Sequence, residues 1–436
     1  MKKYKIIILV CIFTLLGIFI GRVTKENNVY KENENNQIKK HVDTISMMLE
    51  KDIKSGNYEM TTRETWPTEG YVFNSTLSKC ENGGELSWDD ANKRVLMSGN
   101  VSDKCYVYFD KYVPKISDVC SSNENLASCV KKFGDKGSVI SNIYIHNSSL
   151  ENSAKDNSYR YFGVNPDNYV CFGSTEEVCP YNNLYRVIGI FGNQVKLIKY
   201  DYATSSELGT DGDYAGLYKD NPFEEIDTID FYHGKNHTSM ALYTWNYKND
   251  TSINSGYGSN DWSTSLLNKT NLNTNFINNI GKNWSNKIAT TKWQIGGNTW
   301  ETMGHSTPYN VYDKEILNPI ENVLYEAKIG LPYMSDFFYT AEQKYWTELV
   351  RDDNNGTNGT NDYRKFKEEL WINIGLVEWS ITPDKANGQV VFQYRQVFSG
   401  TYANEGKLIR PTFYLDATVN YSSGDGSQIN PIRIVI

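Results

Sequence analysis

The sequence predicts an α+β protein built in series: an N-terminal membrane helix, a helical stalk, a small all-β module and a larger α+β domain. Three observations carry that expectation. The first 22 residues hold one apolar run behind a cluster of lysines. Residues 59–112 break into short alternating runs separated by turn-forming residues. Residues 160–436 mix alternating runs with helical spacing, joined by long polar loops. At 436 residues, and about 100–200 residues per domain, the chain has room for two or three domains.

Composition narrows the function classes. Hydrophobic residues make up 39% of the chain, with 32 Tyr, 17 Phe and 10 Trp, too much apolar and aromatic surface for a disordered chain. The net charge of -8 and the absence of a basic face argue against a nucleic-acid partner. Asn is abundant beside Lys, Ile and Tyr, as an AT-rich genome produces, so Asn runs are not read as motifs.

At the start, "MKKYK" places three lysines before the apolar run Ile6–Gly21, which Arg22 closes. Sixteen residues rising ~1.5 Å each span roughly 24 Å, short of a ~30 Å hydrocarbon core. Lys5 and Arg22 can snorkel and Tyr4 can sit at the interface. Phe19 and Gly21 give no small-residue cleavage pattern. Residues 1–22 are therefore expected to be an uncleaved single-pass anchor in the cell membrane with the bulk of the chain outside the cytoplasm, a secreted protein being the alternative. Cys11, inside the run, reads as a membrane-buried thiol.

Residues 23–58 follow as a stalk. In "QIKKHVDTISMMLEKDI", Ile38, Val42, Ile45, Leu49 and Ile53 fall at steps of 4, 3, 4 and 4, one helical stripe. His41 on it reads as solvated. Residues 59–112 carry "YVFN", "GELSWD", "KRVLMSG" and "CYVYFD", with Asp90, Asn92 and Lys93 as a turn, which predicts a small sandwich-like module. Residues 113–159 read as a linker with a short helix, "ENLASCVKKFGD", stopped at Gly134.

From 160 to 436 the expectation is one α+β domain. "LYRVIGIF" and "QVKLIKYDYA" form a hairpin through Gly192 and Asn193. "WSTSLLNKTNLNTNFINNIG" is spaced as a helix, and a second helical stretch is expected near "PIENVLYEAKIG". "KIATTKWQIGG", "VEWSITP", "GQVVFQYRQVFSG" and "KLIRPTFYLDATVNY" supply strands, and the ends of the domain are expected to pair with each other. Trp293 and Trp379 lie in strand-like runs and are read as core. Pro411 cannot donate to a ladder and suits a strand entrance or an edge. Arg410 before it is read as scaffold, tying down loop carbonyls or a nearby acid.

The cysteines support export. Outside the apolar run there are six, Cys80, Cys105, Cys120, Cys129, Cys171 and Cys179, an even set suited to disulfides. Six allow fifteen pairings. Proximity favours Cys80 with Cys105, Cys120 with Cys129 and Cys171 with Cys179. No C-x2-C pair with matching His spacing indicates a metal.

The segment "DNSYRYFGVNPDNYVCFGSTEEVCPYNNLYRVIGIFGNQVKLIKYDYA", with "KIATTKWQIGG", "AKIGLPYMSDFFYT", "VEWSITP" and "IRPTFYLDATVNYSSGDGSQINPIRI", resembles a large group of surface proteins of gut Bacillota. Their C-terminal domain, of no established activity, is similar to the C-type-lectin-like and formylglycine-generating-enzyme-like fold. "GYVFNSTLSKCENGGELSWDDANKRVLMSGNVSDKCYVYFD" resembles the small β module that often precedes it. The resemblance implies a lectin-like fold for 160–436 and carries no activity with it. The chain lacks the calcium-sugar motifs of C-type lectins and the cysteine pair of the formylglycine-generating kind.

No catalytic, cofactor or metal motif stands out. His233 and His237 in "YHGKNH" are four apart but lack the intervening Glu of a metalloprotease helix. His305 and Ser306 in "MGHST" have no nucleophile elbow. "RDDNNGTNGTND" misplaces its first glycine for a calcium loop and has no closing Glu. Glu225, Asp227 and Asp230 are acids whose separation sequence spacing cannot fix. Trp262, Trp284, Trp293, Trp300, Trp346, Trp371 and Trp379 are candidates for a stacking surface, with most expected in the core. The expected function is a noncatalytic, cell-surface anchored binding or adhesion protein with a glycan or a host or envelope protein as ligand. The alternatives are a structural subunit of a cell-envelope assembly and a surface enzyme acting on glycans.

Overall fold

The structure is a computed structural model that describes residues 44–53, 55–67, 70–98, 103–217, 240–247, 256–304, 306–346, 370–395 and 397–436. The chain divides into two compact units, Met1–Pro114 and Lys115–Ile436. The described residues are mainly β, which corrects the expected α+β class with its helical stalk. No helix among them is long and apolar enough to cross a membrane, and the expected anchor over 1–22 lies outside the described residues.

The first unit has a sheet at its centre. Strands β1 (Thr44–Glu50), β2 (Tyr58–Thr61), β3 (Tyr71–Phe73), β4 (Lys79–Cys80) and β7 (Lys104–Lys111) run in the order β2-β1-β7-β3, with β4 also on β7. β5 (Glu85–Asp89) and β6 (Arg94–Ser98) form the expected hairpin, and Lys93 takes a positive φ of 49° in its turn.

β1 falls in the segment read as a stalk helix, and it is a strand, followed by a turn into β2. Within β1, Ile45 and Leu49 fit a helical stripe, but Ile45, Met47 and Leu49 also alternate as in a strand. β7 resolves the ambiguity by pairing parallel to β1, with Met47 opposite Val107 and Leu49 opposite Phe109. Met47, Val107 and Phe109 make the buried core of this unit, with Leu49, Trp66, Phe73, Leu86 and Trp88 against it. Ladder bonds on both edges and this burial outweigh a short helix that would have had nothing to pack on.

The second unit is organised by a seven-stranded sheet. It contains β8 (Ile143–Ile145), β9 (Tyr159–Tyr161), β10 (Tyr169–Cys171), β11 (Leu184–Phe191), β12 (Gln194–Lys199), β17 (Ile329–Gly330) and β21 (Thr412–Tyr414). The order is β17-β21-β12-β11-β9-β8, with β10 on the first residues of β11. All its pairs are antiparallel. β11 and β12 are almost wholly buried, and Gly192, at φ 60°, turns one into the other. The helix Leu126–Gly134, within the segment read as a linker, packs Leu126, Cys129, Val130 and Phe133 into the same core.

Both ends of the unit meet: Asn123 N donates to Tyr421 O, and Leu126 N to Val419 O. The helix expected near 319–330 is instead strand β16 (Leu324–Ala327) followed by β17. β16 pairs with β15 (Thr291–Gln294), so cross-strand neighbours win over weak helical spacing. Strands β13 (Tyr214–Leu217) and β14 (Ala241–Tyr243) form a separate pair, and β18 (Glu378–Pro383) to β20 (Val397–Tyr402) a three-stranded sheet with β19 (Val390–Arg395) between them.

Candidate functional site

Around β13 and β14 the second unit opens into a cleft of about 610 Å³, within the usual range for small-ligand sites. Its walls are Gly212–Ala215, Thr244, Asn246, Tyr247, Thr264, Leu266 and Asn404. One aspartate sets the floor. Asp213 Oδ2 accepts from the backbone N–H groups of Leu266 and Leu267, each at 2.8 Å, and Oδ1 from that of Tyr247 at 3.2 Å. It thereby caps the helical segment that begins at Leu267, where free N–H groups and the helix dipole favour a negative charge.

Around Asp213 the local sequence is fitted closely. Gly212 takes φ 66°, and a Cβ there would stand 2.4 Å from Asn271 Oδ1, the atom that accepts the Asp213 N–H. Asn271 Nδ2 in turn donates to Leu208 O and Asp211 O. Asn246 Nδ2 donates to Asp261 O and Thr264 Oγ1, fixing the wall opposite. Beneath lie Trp245 and Trp262, both buried, with ring centroids 4.6 Å apart.

The rim is aromatic. Tyr247 is 60% exposed and Leu266 45%, while Tyr257 and Tyr402, 45% and 39% exposed, stack at 4.3 Å. That pair adjoins Asn404, whose backbone N donates to Tyr257 O and whose Nδ2 donates to Gly256 O at 2.6 Å. Among the residues lining the cleft Asp213 is the one carboxylate, and its oxygens already hold three backbone donors. Among the described residues the arrangement offers stacking faces, amides and hydroxyls, and no second acid or histidine for proton transfer.

The residues singled out in the sequence lie elsewhere. Arg410 is buried and forks onto Glu378: Nε donates to Oε2 at 2.8 Å and Nη2 to Oε1 at 2.6 Å, with a further bond from Nη2 to Ile372 O. Pro411 precedes β21 and its carbonyl accepts the Lys199 N–H. Trp293 and Trp379 are buried and donate their indole N–H groups to Ala327 O and Tyr243 O. Trp262, Trp346 and Trp371 are buried as well, and Trp284 and Trp300 pack against the core, so tryptophans make no exposed platform here.

Two of the expected disulfides are formed, Cys80–Cys105 and Cys171–Cys179. Cys120 and Cys129 are thiols, the first half-buried and the second buried. A hydrogen bond with Cys129, and then burial, push the Cys120 thiol up, away from the reactive thiolate. Cys80, Cys105 and Asp103 come within metal-ligand reach of one another. The two sulfurs are spent on each other, and Asp103 accepts the N–H groups of Asn82 and Gly84, so this is a disulfide-braced turn.

His233, His237, His305, Glu225, Asp227, Asp230 and the 351–362 loop lie outside the described residues. His146, passed over in the sequence, is buried: its Nδ1 accepts the Ala154 N–H and its ring meets Tyr339 edge to face. Burial, and then the charge of Arg160, push its pKa well down, so it is neutral. Sequence reading missed the cleft residues too. The signal available was the recurrence of an aromatic beside an acid or amide, in Asp213-Tyr214, Asn246-Tyr247 and Tyr402-Ala403-Asn404.

No family model, no curated protein and no solved structure matches the chain.

Proposed function

We propose that this protein is a noncatalytic binding protein of the cell surface, and that the cleft between β13, β14 and Asn404 takes an uncharged glycan. The observation that carries the reading is a tyrosine-rimmed cleft in which Asp213, the one carboxylate among the described lining residues, is consumed by three backbone N–H groups. Pyranose rings present apolar faces to aromatic side chains and hydroxyl edges to amides, which is what Tyr214, Tyr247, Asn246 and Asn404 offer. The buried charge of Asp213 disfavours acidic sugars. Two disulfides suit a place outside the cytoplasm.

The test is a glycan array probed with the full chain, with and without calcium. The expected result is binding to neutral glycans that survives chelation and weakens about tenfold, or ~1.4 kcal/mol, in Tyr247→Ala. Binding confined to acidic glycans, binding that Tyr247→Ala leaves intact, or no glycan binding at all would overturn the assignment.

A further inference from the structure

The strongest unused chemistry lies in the core of the second unit, where β12 meets the helix Met334–Phe338. Lys196, on a central strand of the main sheet, is buried to 1% and its Nζ stands 2.5 Å from Oδ2 of Asp336, itself 2% exposed. The amine is boxed by rings: Tyr333 at 4.6 Å, Phe191 and Tyr414 each at 5.4 Å, and Trp293 at 5.8 Å from their centroids. A third ionisable group shares the helix start. Glu315, 1% exposed, accepts the Met334 and Ser335 N–H groups and the Thr382 hydroxyl.

We propose that Lys196 and Asp336 condense to an intramolecular amide between Nζ and Cγ. The nitrogen lone pair adds to Cγ, the C–N bond forms, and one Cγ–O bond breaks. The departing oxygen takes up the proton shed by nitrogen and leaves as water, so an amine and a carboxylic acid become an amide and one water with no change of oxidation state. Held contact replaces the encounter that makes this reaction slow in solution. The aromatic box excludes the water that would reverse it, and the product removes two charges from a place where charges are costly.

The surroundings favour an uncharged amine. Burial pushes the Lys196 ammonium down, against the pull of Asp336. Glu315, whose carboxyl burial raises to about 7, accepts the Met334 and Ser335 N–H groups while Asp336 Oδ2 accepts that of Tyr333, so an acid able to exchange a proton stands at the same helix start. The link would join strand to helix across 140 residues of sequence.

The decisive measurement is a tryptic map of the full chain, digested after reduction, alkylation and complete denaturation. The expected product has no cleavage after Lys196, and residues 187–199 are recovered joined to residues 329–344, lighter than their sum by one water. Asp336→Ala restores cleavage after Lys196. Stoichiometric cleavage after Lys196 in the wild type, with residues 329–344 free, overturns the proposal. So does loss of one water from residues 329–344 alone, which marks a succinimide at Asp336 and leaves Lys196 cleavable. The wild-type map decides the matter even where a variant fails to fold.

Discussion

At the scale of single residues, the second unit buries charge and satisfies it. Arg410 and Glu378 are each 1% exposed and doubly bonded. Glu378→Gln leaves a guanidinium buried without its counter-charge and should cost about 3–5 kcal/mol, whereas Arg410→Met with Glu378→Leu should recover much of that. Urea denaturation of the three proteins, followed by tryptophan fluorescence, checks the order. Equal losses in the single and double variants would mean that packing, not charge, decides.

Glu315 gives a pH signature. Burial raises its carboxyl from the ordinary 4.5 to about 7 in the fold, against hydrogen bonds from Thr382 and Ser335. A raised acid binds its proton more tightly when folded, so its contribution is fully present below pH 4.5 and is lost as pH rises through 7. The loss is on the order of 3 kcal/mol. His146 works the other way: its depressed pKa gives stability present above 6.5 and lost as pH falls. The difference in unfolding free energy between wild type and Glu315→Gln should isolate the first slope. A pH-independent difference would mean that Glu315 keeps its ordinary pKa.

At the scale of elements, sequence legibility followed the strength of local signals. The β11–β12 hairpin was readable because Gly192 and Asn193 supply a turn between two apolar runs. The helix Leu126–Gly134 was readable because its run stops at Gly134, the last residue of the observed helix, and the Asn125 cap at its start went unread. β1 and β16 were misread because seven or fewer residues satisfy both periods, and the deciding partner lies far away in sequence. The cleft was illegible for a related reason: its walls come from four separated stretches, and its anchor, Asp213, is marked by nothing local beyond an adjoining glycine and tyrosine.

The two readings of β1 predict different mutants. As a strand it buries Met47 and leaves Ile45 44% exposed, whereas a stalk helix would place Ile45 on its apolar stripe and Met47 off it. Met47→Asp should therefore cost the first unit about 3 kcal/mol or more through an unpaired buried charge, and Ile45→Asp less than about 1. Proteolytic susceptibility of residues 44–114 reads the difference, and the reverse order would restore the helix.

At the scale of the whole molecule, the two units differ in how they are held. The second has an extensive core in which tryptophans, tyrosines and aliphatic side chains interlock, and its first and last segments are hydrogen-bonded together. The first rests on Met47, Val107 and Phe109 with a ring of half-buried neighbours, a core of the size that small domains supplement with cross-links. Its supplement is Cys80–Cys105, which ties β4 to β7 and closes a 25-residue separation. In the chain-entropy model that link contributes about 3–4 kcal/mol, and the 8-residue Cys171–Cys179 loop about 2–3. The larger contribution thus falls on the unit with the smaller core. Reduction under native conditions should open the first unit to proteolysis while a fragment beginning near residue 115 survives. Joint survival of both units after verified reduction would mean that the β2-β1-β7-β3 sheet and its few apolar contacts suffice alone.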